Sequence, residues 1–147
     1  MSLGLRRGLL WATALIGAYV GTWAAFGPRG FYDAFPGLGF IWVSIDGPYN
    51  EHLTRDVGTL YLGLAAATAY AALQRSEAAA VVASRVIGLA WVVFSIPHLG
   101  YHALHLHGLS ALDAVAQLVS LSSTAVLGGL LLPGPLPRAA ASRDTDG

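Results

Sequence analysis

The stretch VIGLAWVVFSIPHLGYHALH, residues 86–105, runs an uncharged apolar segment straight into three histidines, His98, His102 and His105. At about 100° per residue, Trp91, Ser95, His98, His102 and His105 share one arc of a helix, while His107 points to the opposite side. Histidine is costly in an apolar span. A helix that carries a row of them has one face turned toward something other than lipid.

The rest of the chain repeats the apolar theme. It has 147 residues, 55% hydrophobic and only 11% charged, with further uncharged runs at 8–28, 57–73 and 114–132. A span needs about 20 apolar residues and tolerates about 17, so the pattern predicts an all-α integral membrane protein, a four-helix transmembrane bundle. Its spans are expected at about 8–27, 56–74, 79–104 and 111–132. These make one domain over residues 1–132, followed by a disordered cytoplasmic tail, 133–147, opened by Pro133, Pro135 and Pro137. The first run also permits a secretory signal ending near Trp23-Ala24-Ala25-Phe26, whose removal would leave three spans.

Lysine is absent, so arginine alone sets the orientation. Arg6, Arg7, Arg75, Arg85, Arg138 and Arg143 flank one side, Arg29 and Arg55 the other, which predicts cytoplasmic N- and C-termini. The cytoplasmic side then holds six arginines against Glu77, Asp144 and Asp146. The outer side holds two against Asp33, Asp46, Glu51, Asp56 and Asp113. A formal net charge of zero therefore hides a molecule with an anionic outer face that attracts cations and repels nucleic acid. Cysteine is absent and the single methionine is Met1, so thiol redox chemistry and thioether-based copper(I) carriage have no residues to run on.

Between the first two spans lies a segment rich in Phe31, Tyr32, Phe35, Phe40, Trp42 and Tyr49, punctuated by Pro36, Gly37, Gly39, Gly47 and Pro48. An ordered aromatic-rich outer loop is expected there, with a short strand-like or helical piece over 40–45 that could lid the outer site. Asn50 reads as the N-cap of the second span, with Glu51 and Arg55 paired at i and i+4. Gly17 and Gly21 in the first span, and Ser84 and Gly88 in the third, form small-residue ridges that allow close helix packing.

Two further stripes accompany the histidines. His52, Asp56, Thr59 and Gly63 share a face of the second span, and Asp113, Gln117, Ser120 and Thr124 share a face of the fourth. All three stripes are most polar at the outer end, so they are expected to converge inside the bundle as a blind funnel. Thr124 lies about 16 Å below Asp113 at 1.5 Å per residue. His98 and His102 at i and i+4 are a chelating spacing, and His52, Asp56 and His105 complete the expected metal-ligand set. These donors suit zinc, iron, manganese or copper(II), and a metal-bound water would be the nucleophile of a hydrolase, with Asp113 or Glu51 as general base. A bis-histidine haem b, with His52 opposite His98 or His102, is a second expectation.

Three resemblances accompany these residues. His98-x3-His102-x2-His105-x-His107 is similar to the histidine boxes of membrane di-iron desaturases and hydroxylases, but those boxes end in adjacent histidines, which this chain lacks. Glu51-His52 with the later HxxxH resembles the ceramidase-like zinc hydrolases of membranes, which have more spans. The bundle layout, with Arg55-Asp56-Val57-Gly58 opening the second span, looks like the DoxX-like membrane proteins, found as accessory components near redox enzymes. That resemblance implies a bundle fold and an accessory role, carries over no catalytic residues, and departs from thiol-linked members in having no cysteine.

Two functions therefore compete. One is a metal-binding membrane protein, either a hydrolase or a redox accessory, with its site at the outer mouth. The other is a non-enzymatic accessory or assembly subunit that docks another membrane subunit, or a second copy of itself, through the small-residue ridges. The lysine-free, alanine-rich composition fits a bacterial plasma membrane.

Overall fold

A computed structural model describes residues 1–134 of the chain, so most of the expected tail lies outside the described residues. Five helices carry the structure: α1 Leu3–Phe26, α2 Pro28–Ala34, α3 Glu51–Ala72, α4 Glu77–Leu104 and α5 Ala111–Leu131. The four long ones pack as a ring, α1 against α3, α3 against α4, α4 against α5, and α5 back against α1. Between α1 and α3, the short α2 leads into a two-stranded antiparallel ribbon, β1 Pro36–Gly37 and β2 Phe40–Ile41, and a 3-10 turn at Ser44–Asp46. This segment caps the end of the bundle that bears the histidines.

Three of the helices, α1, α4 and α5, are long and apolar enough to cross a membrane. Their outward faces match: Leu15, Val86, Val93, Val119 and Val126 are all 58–67% exposed, an arrangement suited to lipid and adverse in water. The second expected span, α3, falls short of the other three because its first six residues include Glu51, His52, Arg55 and Asp56. Its remaining turns are apolar or small, and it runs antiparallel to α1.

Each long helix begins on a side-chain cap. Ser2, Asn50, Ser76 and Ser110 accept hydrogen bonds from the backbone N–H of Leu5, Leu53, Ala79 and Asp113 respectively, satisfying donors that the helix itself leaves free. The opposite ends are answered by arginine and histidine. Arg55 donates to Ala25 O at the end of α1, Arg7 to Gln74 O just beyond α3 (2.8 Å), and Arg85 to Leu132 O beyond α5 (3.1 Å). His105 closes α4 through Nδ1–H to Tyr101 O at 2.7 Å. Arg6, only 2% exposed, reaches from α1 to Leu131 O (2.9 Å), Pro133 O (2.8 Å) and the Ser84 hydroxyl of α4.

The small-residue ridges are used inside the bundle. A Cβ added to Gly58 would lie 2.3 Å from Ala25 N, and one added to Gly21 2.8 Å from Leu62 N, so α1 and α3 touch backbone to backbone. Gly88 and Gly128 join α4 to α5 in the same way, with each added Cβ within 3.0 Å of the other's carbonyl oxygen. Ser84 bonds Arg6. The ridges expected to dock a partner, Gly17/Gly21 and Ser84/Gly88, are thus occupied by the chain's own helices. Trp91 fills the centre, fully buried, its Nε1–H donated to Thr68 Oγ1 at 2.9 Å.

Backbone contact of this kind cannot yield to a side-chain rotation. Gly58→Ala is expected to destabilise the protein by about 1–3 kcal/mol through overpacking. Gly63→Ala, where nothing lies within 4 Å, should be neutral or stabilising by up to about 1 kcal/mol. Unfolding of both variants in detergent, followed by circular dichroism, checks the contrast.

Candidate binding cavity

The helix-facing pattern of α4 places Trp91 and Ser95 in the core and brings His98 and His102 one and two turns further up the same face. Above the core these two imidazoles enter a cavity of about 300 Å³. Its floor is Thr124, hydrogen-bonded to Ser95 at 3.0 Å. Ile16 and Val20 of α1 and Leu53, Val57 and Tyr61 of α3 form one wall; Gln117, Ser120 and Leu121 of α5 form the facing one. Phe31, Phe35, Trp42, Val43 and Asp46 of the capping segment roof it. A smaller hollow of about 170 Å³ shares Val43, Asp46, Leu53 and Thr54 with it, and lies on the route between α3 and the 3-10 turn.

Two of the three expected stripes converge here. His98 and His102 from α4, and Gln117, Ser120 and Thr124 from α5, all line the cavity. The stripe on α3 does not. His52 and Asp56 pair with each other at 3.3 Å, with side chains 87% and 59% exposed, because α3 turns Leu53, Val57 and Tyr61 inward instead. Its contact face is dictated by Gly58 and Ala65 meeting α1, and the polar stripe is left outside.

His105 also leaves the expected set. The helix ends at Leu104, His105 adopts a non-helical conformation (φ −126°, ψ 55°), and its ring stacks on Tyr101 at 4.1 Å. Its Nδ1–H is committed to the Tyr101 carbonyl, which fixes the proton on that nitrogen. His107 lies beyond the end of the helix and is exposed. Asp113 is bound to the α5 start: it exchanges hydrogen bonds with Ser110, and its Oδ1 accepts Trp42 Nε1–H at 3.3 Å, pinning the roof to α5. Glu51 is held by Arg55 at 2.8 Å. Neither candidate general base lines the cavity, and among the described residues no serine hydroxyl is hydrogen-bonded to a histidine.

Asp46 was not among the expected site residues, because it lies in a glycine- and proline-rich segment with no periodicity to place it. Its Oδ2 comes within 3.8 Å of His102 Nδ1, outside hydrogen-bond range. His102 Nδ1 is consequently buried without a partner, and so is Oε1 of Gln117, a residue 98% buried. The His98 and His102 rings meet edge-on at 4.8 Å, and His98 stacks on Phe94 at 5.2 Å, which holds both imidazoles in place. Among the described residues, no three histidine, aspartate or glutamate side chains are gathered closely enough to hold a metal ion.

No known protein family, curated protein or solved structure matches this chain. The resemblances to histidine-box enzymes, ceramidase-like hydrolases and DoxX-like proteins rest on the quoted residues alone.

An unpaired buried amide oxygen costs about 1–3 kcal/mol. Gln117→Leu, which keeps the volume and removes the unmet polar group, is therefore expected to raise the stability of the empty protein by about 1 kcal/mol or more. A melting temperature lower than wild type would show that Gln117 is a structural residue.

Proposed function

We propose that the chain crosses a bacterial plasma membrane four times, with its arginine-capped end in the cytoplasm, and binds a small, mainly apolar molecule in the cavity at its outer end. Support for the fourth crossing comes from α3 itself. From Gly58 against Ala25 to Gln74 beside Arg7, it accompanies α1 along almost its whole length, so a membrane that holds one holds the other. The arginine distribution supports the orientation.

The observation that carries the binding role is a largely apolar cavity lined by His98, His102 and Gln117, with His102 Nδ1 and Gln117 Oε1 buried beside it without partners. Buried polar atoms are ordinarily paired, and a cavity of about 300 Å³ lies at the small end of ligand sites. A molecule with an apolar body and one polar group suits that lining, and a small rotation of the Gln117 or His102 side chain would bring a partner to it.

A divalent ion is the second reading, favoured by His98, His102 and the nearby Asp46 carboxylate. It ranks lower because a metal needs its donors just over 2 Å from one point, and His52, Asp56 and His105 face elsewhere. Haem b ranks lower again, since His52 is turned away and two histidines on one helix cannot hold opposite faces of an iron.

Two experiments test the proposal. The chain has no cysteine, so single replacements at exposed positions can be labelled without background. With four spans and cytoplasmic termini, a membrane-impermeant maleimide labels His107→Cys in intact cells and Arg75→Cys only after permeabilisation; labelling of Arg75→Cys from outside overturns that topology. For the cavity, wild type and a filled variant, Leu121→Trp, are purified without a histidine tag, extracted into organic solvent and analysed by mass spectrometry and elemental analysis. A near-stoichiometric organic molecule present only with wild type supports the binding role, a stoichiometric metal favours the second reading, and identical extracts oppose both.

A further inference from the structure

The cavity has two chemically different sides. Every ring that lines it apart from the two imidazoles comes from the capping segment or α3: Phe31, Phe35, Trp42 and Tyr61. These rings are braced against one another and the core, Phe31 on Phe35 at 4.5 Å, Phe35 on Trp42 at 6.2 Å and Tyr61 on Phe94 at 5.1 Å. Most of the polar side chains sit on the other side, on α4 and α5, at His98, His102, Gln117, Ser120 and Thr124; the aromatic side adds only Asp46, the Tyr61 hydroxyl and Thr54, whose own hydroxyl is donated to Asn50 O. An occupant therefore meets flat, rigid aromatic surface on one flank and hydrogen-bonding groups on the other.

Charge narrows the choice further. Among the described residues no arginine lines the cavity, and the one carboxylate there, Asp46, stands at the side shared with the smaller hollow with its side chain 28% exposed. An anion would have no counter-charge and would face Asp46. A cation would have to give up its hydration beside apolar walls, with only a partly solvated carboxylate to offset the loss. The Gln117 amide offers both a donor and an acceptor to a neutral oxygen, and an imidazole likewise offers one of each.

We infer that the occupant of the cavity is a neutral molecule built on a planar aromatic ring system with a hydroxyl or carbonyl oxygen on one edge, an inference that rests on the cavity being a binding site. The ring lies against the Phe31, Phe35, Trp42 and Tyr61 side, and the oxygen is received by Gln117 and His102. Recognition is thus divided: the aromatic flank supplies most of the affinity, and the polar flank selects for the oxygen.

Equilibrium dialysis of the full chain in nanodiscs, with empty nanodiscs as the blank, tests this using four matched probes: 2-naphthol, naphthalene, 2-naphthoate and 1-naphthylmethylammonium. The expected result is saturable binding of 2-naphthol at one site per chain, about tenfold tighter than naphthalene and tighter still than either charged probe. In Gln117→Leu the preference for 2-naphthol over naphthalene should collapse while naphthalene binding is retained. Leu121→Trp, or Val57→Trp should that variant fail to fold, should abolish binding of both. Equal affinity for 2-naphthol and naphthalene, a preference unchanged in Gln117→Leu, or tighter binding of a charged probe would overturn the inference while leaving the cavity as a site. No saturable binding of any probe by folded wild type would overturn both the inference and the binding role beneath it.

Discussion

A helix cannot satisfy its own last carbonyls, and in an apolar surrounding no water is at hand to do so. The long helices of this protein meet that constraint largely with side-chain donors, and the four arginines among them reach across from a different helix: Arg55 to the last turn of α1, Arg7 to Gln74 O just beyond α3, and Arg6 and Arg85 to the end of α5. Two helices are also closed by a residue that follows them, α3 by the Gln74 amide on Tyr70 O and α4 by His105 on Tyr101 O. The caps do more than neutralise helix ends. Because an arginine fork is rigid and its targets are fixed backbone atoms, each cap sets how far one helix stands along another. The register thus defined brings Gly58 opposite Ala25 and Gly88 opposite Gly128, and the cavity lies beside the first contact and above the second.

Much of this was legible from residue spacing. The helix start at Asn50 follows from cap chemistry, the close packing at Gly17 and Gly21 from their spacing, and the polar inner faces of α4 and α5 from periodicity. The face of α3 was not. Periodicity finds a polar stripe at His52, Asp56, Thr59 and Gly63 but cannot say whether it points in or out, and here a competing stripe of glycine and alanine wins the interface. Backbone approach at Gly58 admits no alternative rotation, whereas a histidine and an aspartate four residues apart satisfy each other wherever they point.

His105 failed for a different reason. Its phase on an ideal helix is correct, but the helix stops one residue earlier, and the residue after a helix is recruited to close it. Asp46 was beyond reach of any periodic argument, since it comes from a 3-10 turn that reaches His102 across 56 residues of chain. The arginines carried two messages at once. Their distribution was read as topology, and most of those described here also serve as caps, so the same residues that would anchor the chain to one side of a bilayer hold its helices together.

Arg6 has a consequence for how the chain is made. Its carbonyl acceptor at Leu131 lies 125 residues further on. At bacterial or eukaryotic elongation rates of about 5–20 residues per second, roughly 6–25 seconds separate the synthesis of the two partners. Ser84 is the first of the Arg6 partners to be made, 78 residues on, and the two carbonyl acceptors come only at the end. The fold can close only when the last helix arrives, and a chain that stops short of Leu131 leaves Arg6 with Ser84 as the sole one of its three acceptors.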